Sequence, residues 1–201
     1  MKKNSLKIKR LVGLATLSAI VIVLQVFSNY IQFGPVSITL ALIPIVVGSI
    51  VFGPKGGFTL GLVHGAIVCT APATIGLFMP VTVFGTILVC LLKSSIAGLV
   101  SGLLFQLLKK KNTLVAVIVA SVIVPIVNTG IFSIACFTIF EPLIAELAST
   151  SGKGFAAYFF LIFIGYNFII ELVVNSVLSP VVLRIVKMYN IDEKFGSKVE
   201  L

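Results

Sequence analysis

The chain has 201 residues, of which 59% are hydrophobic and only 10% charged, and its mean hydropathy is +1.22. So few charges cannot cover a water-facing surface, which excludes a soluble globular domain and leaves a polytopic helical membrane protein. The formal net charge of +9 does not imply nucleic-acid binding, because the basic residues sit at the ends of apolar segments rather than on one face.

Lys2, Lys3, Lys7, Lys9 and Arg10 precede a first helix expected over Leu11–Ser28. No small-residue cleavage site ends this run, and Gln25 to Tyr30 continue into polar and aromatic residues, so it reads as a retained helix rather than a signal peptide. Asn29–Ser37 is an uncharged outer connection marked by Gly34-Pro35. A second helix follows over Ile38–Phe52, with a kink expected at Pro44, and a third over Gly57–Thr70. Between them, Gly53-Pro54-Lys55-Gly56-Gly57 forms a cytoplasmic reversal, since Pro54 fixes φ and the glycines accept the positive φ of a tight turn. Each arm has about 15 residues, roughly 22 Å of helix against a hydrocarbon core of roughly 30 Å. The pair therefore reads as short, tilted membrane helices shielded by longer neighbours. Gly57, Gly61 and Gly65 at i, i+4, i+8 leave a groove that another helix backbone can enter.

Ala71–Pro80 is expected as an outer loop, and a fourth helix over Val81–Leu108 returns to Lys109-Lys110-Lys111. The fifth helix, Leu114–Phe140, contains Pro125; Glu141–Ala156 is an outer loop with a flexible Ser149–Gly154; and a sixth helix, Ala157–Val186, ends at Arg184 and Lys187. Six crossings with both termini in the cytoplasm put every basic cluster inside. The fold class is all-α, with residues 1–190 as one six-helix transmembrane domain and 191–201 as a cytoplasmic tail.

Polar groups at membrane depth are costly unless paired, so they are the candidate site. The last helix carries Asn167, Glu171 and Asn175 at i, i+4, i+8, and the fourth carries Lys93 with Thr82 and Thr86 toward its outer end. Two roles stand open for Lys93 and Glu171: mutual neutralisation that pins two helices together, and direct contact with a ligand. Asn128 follows Pro125 and suits capping of the backbone that the proline frees. Asn175 suits a helix–helix hydrogen bond. His64 has no second histidine or carboxylate at ligand spacing, so no metal site is expected. Cys69, Cys90 and Cys136 show no CxxC spacing and read as small hydrophobes. No HExxH, GxSxG or GxxxxGK[ST] motif is present, so the chain is not read as an enzyme, and no cofactor is implied.

Ala15-Thr16-Leu17-Ser18-Ala19 behind a basic N-terminus, the Gly-Pro outer connection, and Val51-Phe52-Gly53-Pro54-Lys55-Gly56-Gly57 between two short helices together carry a family resemblance. The chain resembles the substrate-binding S component of energy-coupling factor (ECF) vitamin transporters over nearly its whole length. That resemblance implies a subunit in a prokaryotic plasma membrane that binds a vitamin tightly near its outer face. It further implies docking through the first helix onto a transmembrane T component driven by two cytoplasmic ATPases, and tilting to release substrate inside. The small residues of the docking pattern map onto Ala15 and Ala19. The family's pocket maps onto Thr82, Thr86, Lys93, Asn128, Tyr166, Asn167 and Glu171, with Gln25, Asn29 and Gln32 in or near its lid. A lysine suits a carboxylate-bearing substrate, which makes pantothenate the first choice and riboflavin the second. The lack of tryptophan and of a dense aromatic cage disfavours flat stacked ligands such as thiamin. From another class, a solitary secondary carrier using Lys93 and Glu171 as a proton relay is the competing reading.

Overall fold

The structure, a computed structural model, describes the backbone at residues 2–30, 32–33, 36–37 and 39–196, and side chains over 7–30, 39–185 and 187–188. Gly34-Pro35, the Gln32 side chain and residues 197–201 of the expected tail lie outside the described residues.

Helix α1 spans Lys2–Ser28, so the basic segment is part of the helix itself. A two-residue antiparallel ladder follows, β1 (Gln32–Phe33) against β2 (Val36–Ser37), pairing Gln32 with Ser37. Helix α2, Leu42–Val51, is shorter than expected. Its late start corrects the reading of Pro44 as a kink: Pro44 is in the first turn, where its missing N–H has no intrahelical acceptor to lose.

The reversal is tighter than the expected five residues. Gly53 alone has φ +79, and Pro54 takes the first position of α3 (Pro54–Val68), so Lys55, Gly56 and Gly57 are helical. Arg10 donates from Nη2 to the Phe52 carbonyl at 2.7 Å, satisfying a carbonyl at the α2 C-terminus and tying α1 to this corner.

Helix α4 covers Val83–Leu108 and α5 Thr113–Thr138, the latter opened by Asn112, whose side chain accepts from the Leu114 and Val115 amides. The glycine groove of α3 is filled by α4: a Cβ at Gly57, Gly61 or Gly65 would collide with the carbonyls of Gly98, Ser94 and Cys90 respectively. Lipid gives apolar helices no reason to associate, so this backbone-to-backbone approach is where α3 and α4 gain dispersion contact. Helix α2 is enclosed by α1, α3, α4, α5 and the last helix, α8 (Gly165–Gly196), with Leu42, Ile45 and Val46 at the centre of the core.

Two expected outer loops contain helix. Thr74–Phe78 is a π-helical turn, and Glu141–Thr150 is helix α6, with Pro142 in its first turn and Ile144 and Ala148 buried. The last expected helix is broken rather than continuous: α7 (Phe155–Tyr158), a π-helical turn at Phe159–Phe163, then α8 (Gly165–Gly196). Gly165 sits at the break, where any side chain would strike the Phe160 carbonyl.

Four segments are long and apolar enough to cross a membrane: Lys7–Ser28, Val83–Leu108, Thr113–Thr138 and Phe155–Ile185; α2 is a shorter apolar helix. These make the chain a multi-pass helical membrane protein.

Candidate functional site

Two adjoining cavities, of about 50 Å³ and about 40 Å³, share Thr39, Lys93 and Phe132 as walls. Each has room for roughly three water molecules. The larger one is bounded by Gln25, Thr74, Phe78 and Thr86; the smaller by Asn128, Phe163, Asn167 and Glu171. The π-helical turns position several of these residues. Thr74 and Phe78 enter from the first, while Phe163, Ile164, Asn167, Phe168 and Glu171 recur along one face across the second break.

Of the residues expected at the site, Thr86, Lys93, Asn128, Asn167 and Glu171 are brought together, along with Gln25. Thr82 and Tyr166 line neither cavity. Thr82 is the N-cap of α4, its hydroxyl accepting from the Gly85 amide at 3.3 Å, and its carbonyl accepts from the Thr86 hydroxyl at 2.7 Å. Tyr166 is 64% exposed.

Lys93 and Glu171 face the same cavity, but among the described residues no ion pair joins them. Glu171 Oε1 instead accepts from the Thr39 amide at 2.9 Å, fastening the segment before α2 onto α8. The Lys93 ammonium stands 4.7 Å from the Phe132 ring centroid, within cation–π range. A half-buried cation held by a ring rather than a carboxylate keeps its capacity for an anionic partner.

Asn128, on α5, reaches across to a neighbouring helix. It meets the Ser94 hydroxyl of α4 at 3.2 Å. Asn175 bonds within its own helix, donating to the Glu171 carbonyl at 2.8 Å. His64, which stood alone in the sequence, is at the centre of a buried polar chain: its Nε2 meets Gln25 Oε1 at 2.9 Å and its Nδ1 meets Ser94 Oγ at 2.7 Å. Gln25 Nε2 in turn donates to Asn29 Oδ1 at 3.0 Å. The chain thus runs from α1 through α3 and α4 to Asn128 on α5. Ser94 was missed from sequence, where one of three serines in an apolar helix carries no signal beyond its neighbour Lys93.

The aromatic side chains also correct an expectation. Phe78 packs edge-on against Phe132 and Phe140 at 5.5 and 5.0 Å, and Phe132 stacks on Phe163 at 6.3 Å, so the cavities do have an aromatic wall.

A family model for the substrate-specific component of ECF transporters matches residues 9–183. The chain belongs to that family. It is therefore a substrate-specific subunit of an ECF transporter, a class of transport proteins rather than enzymes. No individual curated protein and no solved structure matches it. Ala15 and Ala19 are exposed on α1, and that face, with Leu11, Val12 and Val23 beside it, is covered by no other described residue.

Proposed function

We propose that this subunit captures an acidic vitamin, with pantothenate the first choice, for an ATP-driven importer. The observation that carries the reading is the Lys93 ammonium, which faces both cavities over the Phe132 ring and, among the described residues, is paired with no carboxylate. A substrate carboxylate would complete that cation. Asn128, Asn167, Thr86 and Gln25 would supply hydrogen bonds, and Glu171 would hold the backbone at Thr39 over the ligand. A vitamin needs more room than either cavity offers alone, so binding joins the two, with the 31–40 segment, Gln32 included, acting as the lid. The Phe78, Phe132, Phe140 and Phe163 wall favours riboflavin as the second reading, because a flat ring system stacks on such a surface.

The remaining parts of the proposal concern assembly. The chain is one six-helix unit in a prokaryotic plasma membrane, with α2 and α3 as short crossings and both termini cytoplasmic, so that Lys7, Lys9, Arg10, Lys55, Lys109–Lys111, Arg184 and Lys187 lie inside. Ala15 and Ala19 dock on the transmembrane T component, which two ATPases drive. Thermal unfolding of the purified chain with pantothenate and riboflavin tests the ligand, since a molecule that binds only the folded form stabilises it by RT ln(1 + [L]/Kd). Uptake that persists without the ATPases and collapses with a protonophore would support the proton-coupled carrier instead.

A further inference from the structure

The buried chain Gln25–His64–Ser94–Asn128 has a hydrogen count that its geometry must satisfy. His64 is 0% exposed, and its two ring nitrogens meet a hydroxyl and a side-chain amide. An imidazolium there would be a fully buried cation close to the half-buried Lys93 ammonium and without a contacting carboxylate among the described residues, so the ring is neutral, with one nitrogen donating and one accepting. Asn128 presenting Oδ1 to Ser94, together with Gln25 presenting Oε1 to His64, would need both ring nitrogens to donate. One side of the chain is therefore turned. An amide's oxygen and nitrogen have the same shape, and the network decides which faces which.

Two neutral arrangements close the chain. In the first, His64 Nε2–H donates to Gln25 Oε1, the Ser94 hydroxyl donates to Nδ1, and Asn128 Nδ2–H donates to Ser94 Oγ. This leaves Asn128 Oδ1 toward the cavity. In the second, every donor is reversed, both Gln25 and Asn29 are turned, and the Asn128 amino group faces the cavity. The first turns one amide and retains the Gln25-to-Asn29 bond. It also sets a carbonyl oxygen, rather than an amino group, into the cavity that Asn128 shares with the Lys93 cation.

We propose that His64, which lines neither cavity, is the positioning residue that sets the hydrogen-bonding polarity of the site, holding Asn128 with its carbonyl oxygen beside the Lys93 ammonium. The ligand class follows, resting on the binding role proposed above for this cavity: a molecule carrying an N–H or O–H donor next to an anionic group. The chain has one histidine, so its imidazole can be read without assignment. The test is ¹⁵N NMR of the full-length protein labelled at histidine, reconstituted in phosphatidylcholine nanodiscs at neutral pH with no ligand added. The expected spectrum has a protonated Nε2 and an acceptor-type Nδ1. In Asn128→Asp the new side chain only accepts, so Ser94 must donate to it and Nδ1 becomes a donor; in Asn128→Leu both nitrogens keep their roles. Should the acidic variant fail to fold, Ser94→Ala serves as the second arm: Nδ1 loses its hydrogen-bond shift while Nε2 stays protonated. A wild-type Nδ1–H tautomer, a doubly protonated ring, or a spectrum indifferent to both Asn128→Asp and Ser94→Ala overturns the proposal. Because no ligand enters the readout, a wrong choice of vitamin would not mimic any of these results.

Discussion

Replacing Glu171 separates a latch from an ion pair. Its Oε1 accepts from the Thr39 amide at 2.9 Å, a distance in the middle of the N–H···O range, and the side chain is 5% exposed. Glu171→Gln keeps a carbonyl oxygen in place, so the Thr39 bond survives and the loss of stability stays within about 1 kcal/mol. Glu171→Ala leaves a buried amide without its acceptor, at a cost of about 1–3 kcal/mol, and releases the start of α2 from α8. If Glu171 neutralised Lys93 directly, Glu171→Gln would strand the half-buried cation and Lys93→Met the buried carboxylate, each at a cost of up to roughly 3–5 kcal/mol. The assay is equilibrium unfolding in lipid or mild detergent, paired with limited proteolysis of the 31–40 segment. We expect a small loss for Glu171→Gln, a larger one with accelerated cleavage for Glu171→Ala, and near-normal stability for Lys93→Met. Equal, large losses in Glu171→Gln and Lys93→Met would refute the latch.

Further outcomes follow from packing and charge. Gly61→Val drives a side chain into the Ser94 and Ser95 backbone, which cannot turn away, and should destabilise by about 3 kcal/mol or prevent folding, whereas Gly130→Ala, with open space at its Cβ in α5, should stabilise by about 0.5–1 kcal/mol in the same unfolding assay. Ala15→Leu with Ala19→Leu should abolish co-purification with the T component while leaving ligand affinity unchanged, because both positions are exposed on α1. Cysteine labelling from outside intact cells should reach positions 73 and 151 but not 55 or 110; external reaction at 55 would overturn the six-crossing topology.

The parts of this fold that were legible from sequence are those where one physical requirement dominates. Helices α4 and α5 lie within two residues of their expected ends, because a long apolar run flanked by lysines or an Asn cap has one solution in a bilayer. The glycine groove of α3 was equally plain, since three glycines one turn apart serve a close approach. Helix α6 was read as loop although Leu143, Ile144, Leu147 and Ala148 recur at helical spacing after Pro142; the acidic residues and the following Ser-Thr-Ser-Gly hid the pattern. The π-helical turns at Thr74–Phe78 and Phe159–Phe163 have no sequence signature of their own, and they are what turn Phe78 and Phe163 into the cavities. Among site residues, Lys93 and Glu171 declared themselves as the deep charges, but their separation depended on Thr39 claiming the carboxyl, a contact across 132 positions of chain. The aromatic wall likewise gathers residues from separate segments that no local pattern connects.

The central claim is that Lys93 anchors the anionic group of a vitamin. Mass spectrometry of small molecules released from purified wild-type protein and from Lys93→Met, at matched yield and fold, tests it most directly. Losing a desolvated charged contact costs about 2–5 kcal/mol, on the order of a hundredfold or more in Kd. The account predicts an acidic vitamin released from the wild type and little or none from Lys93→Met. A neutral or cationic molecule in the wild type, or an equal load in the variant, would contradict it.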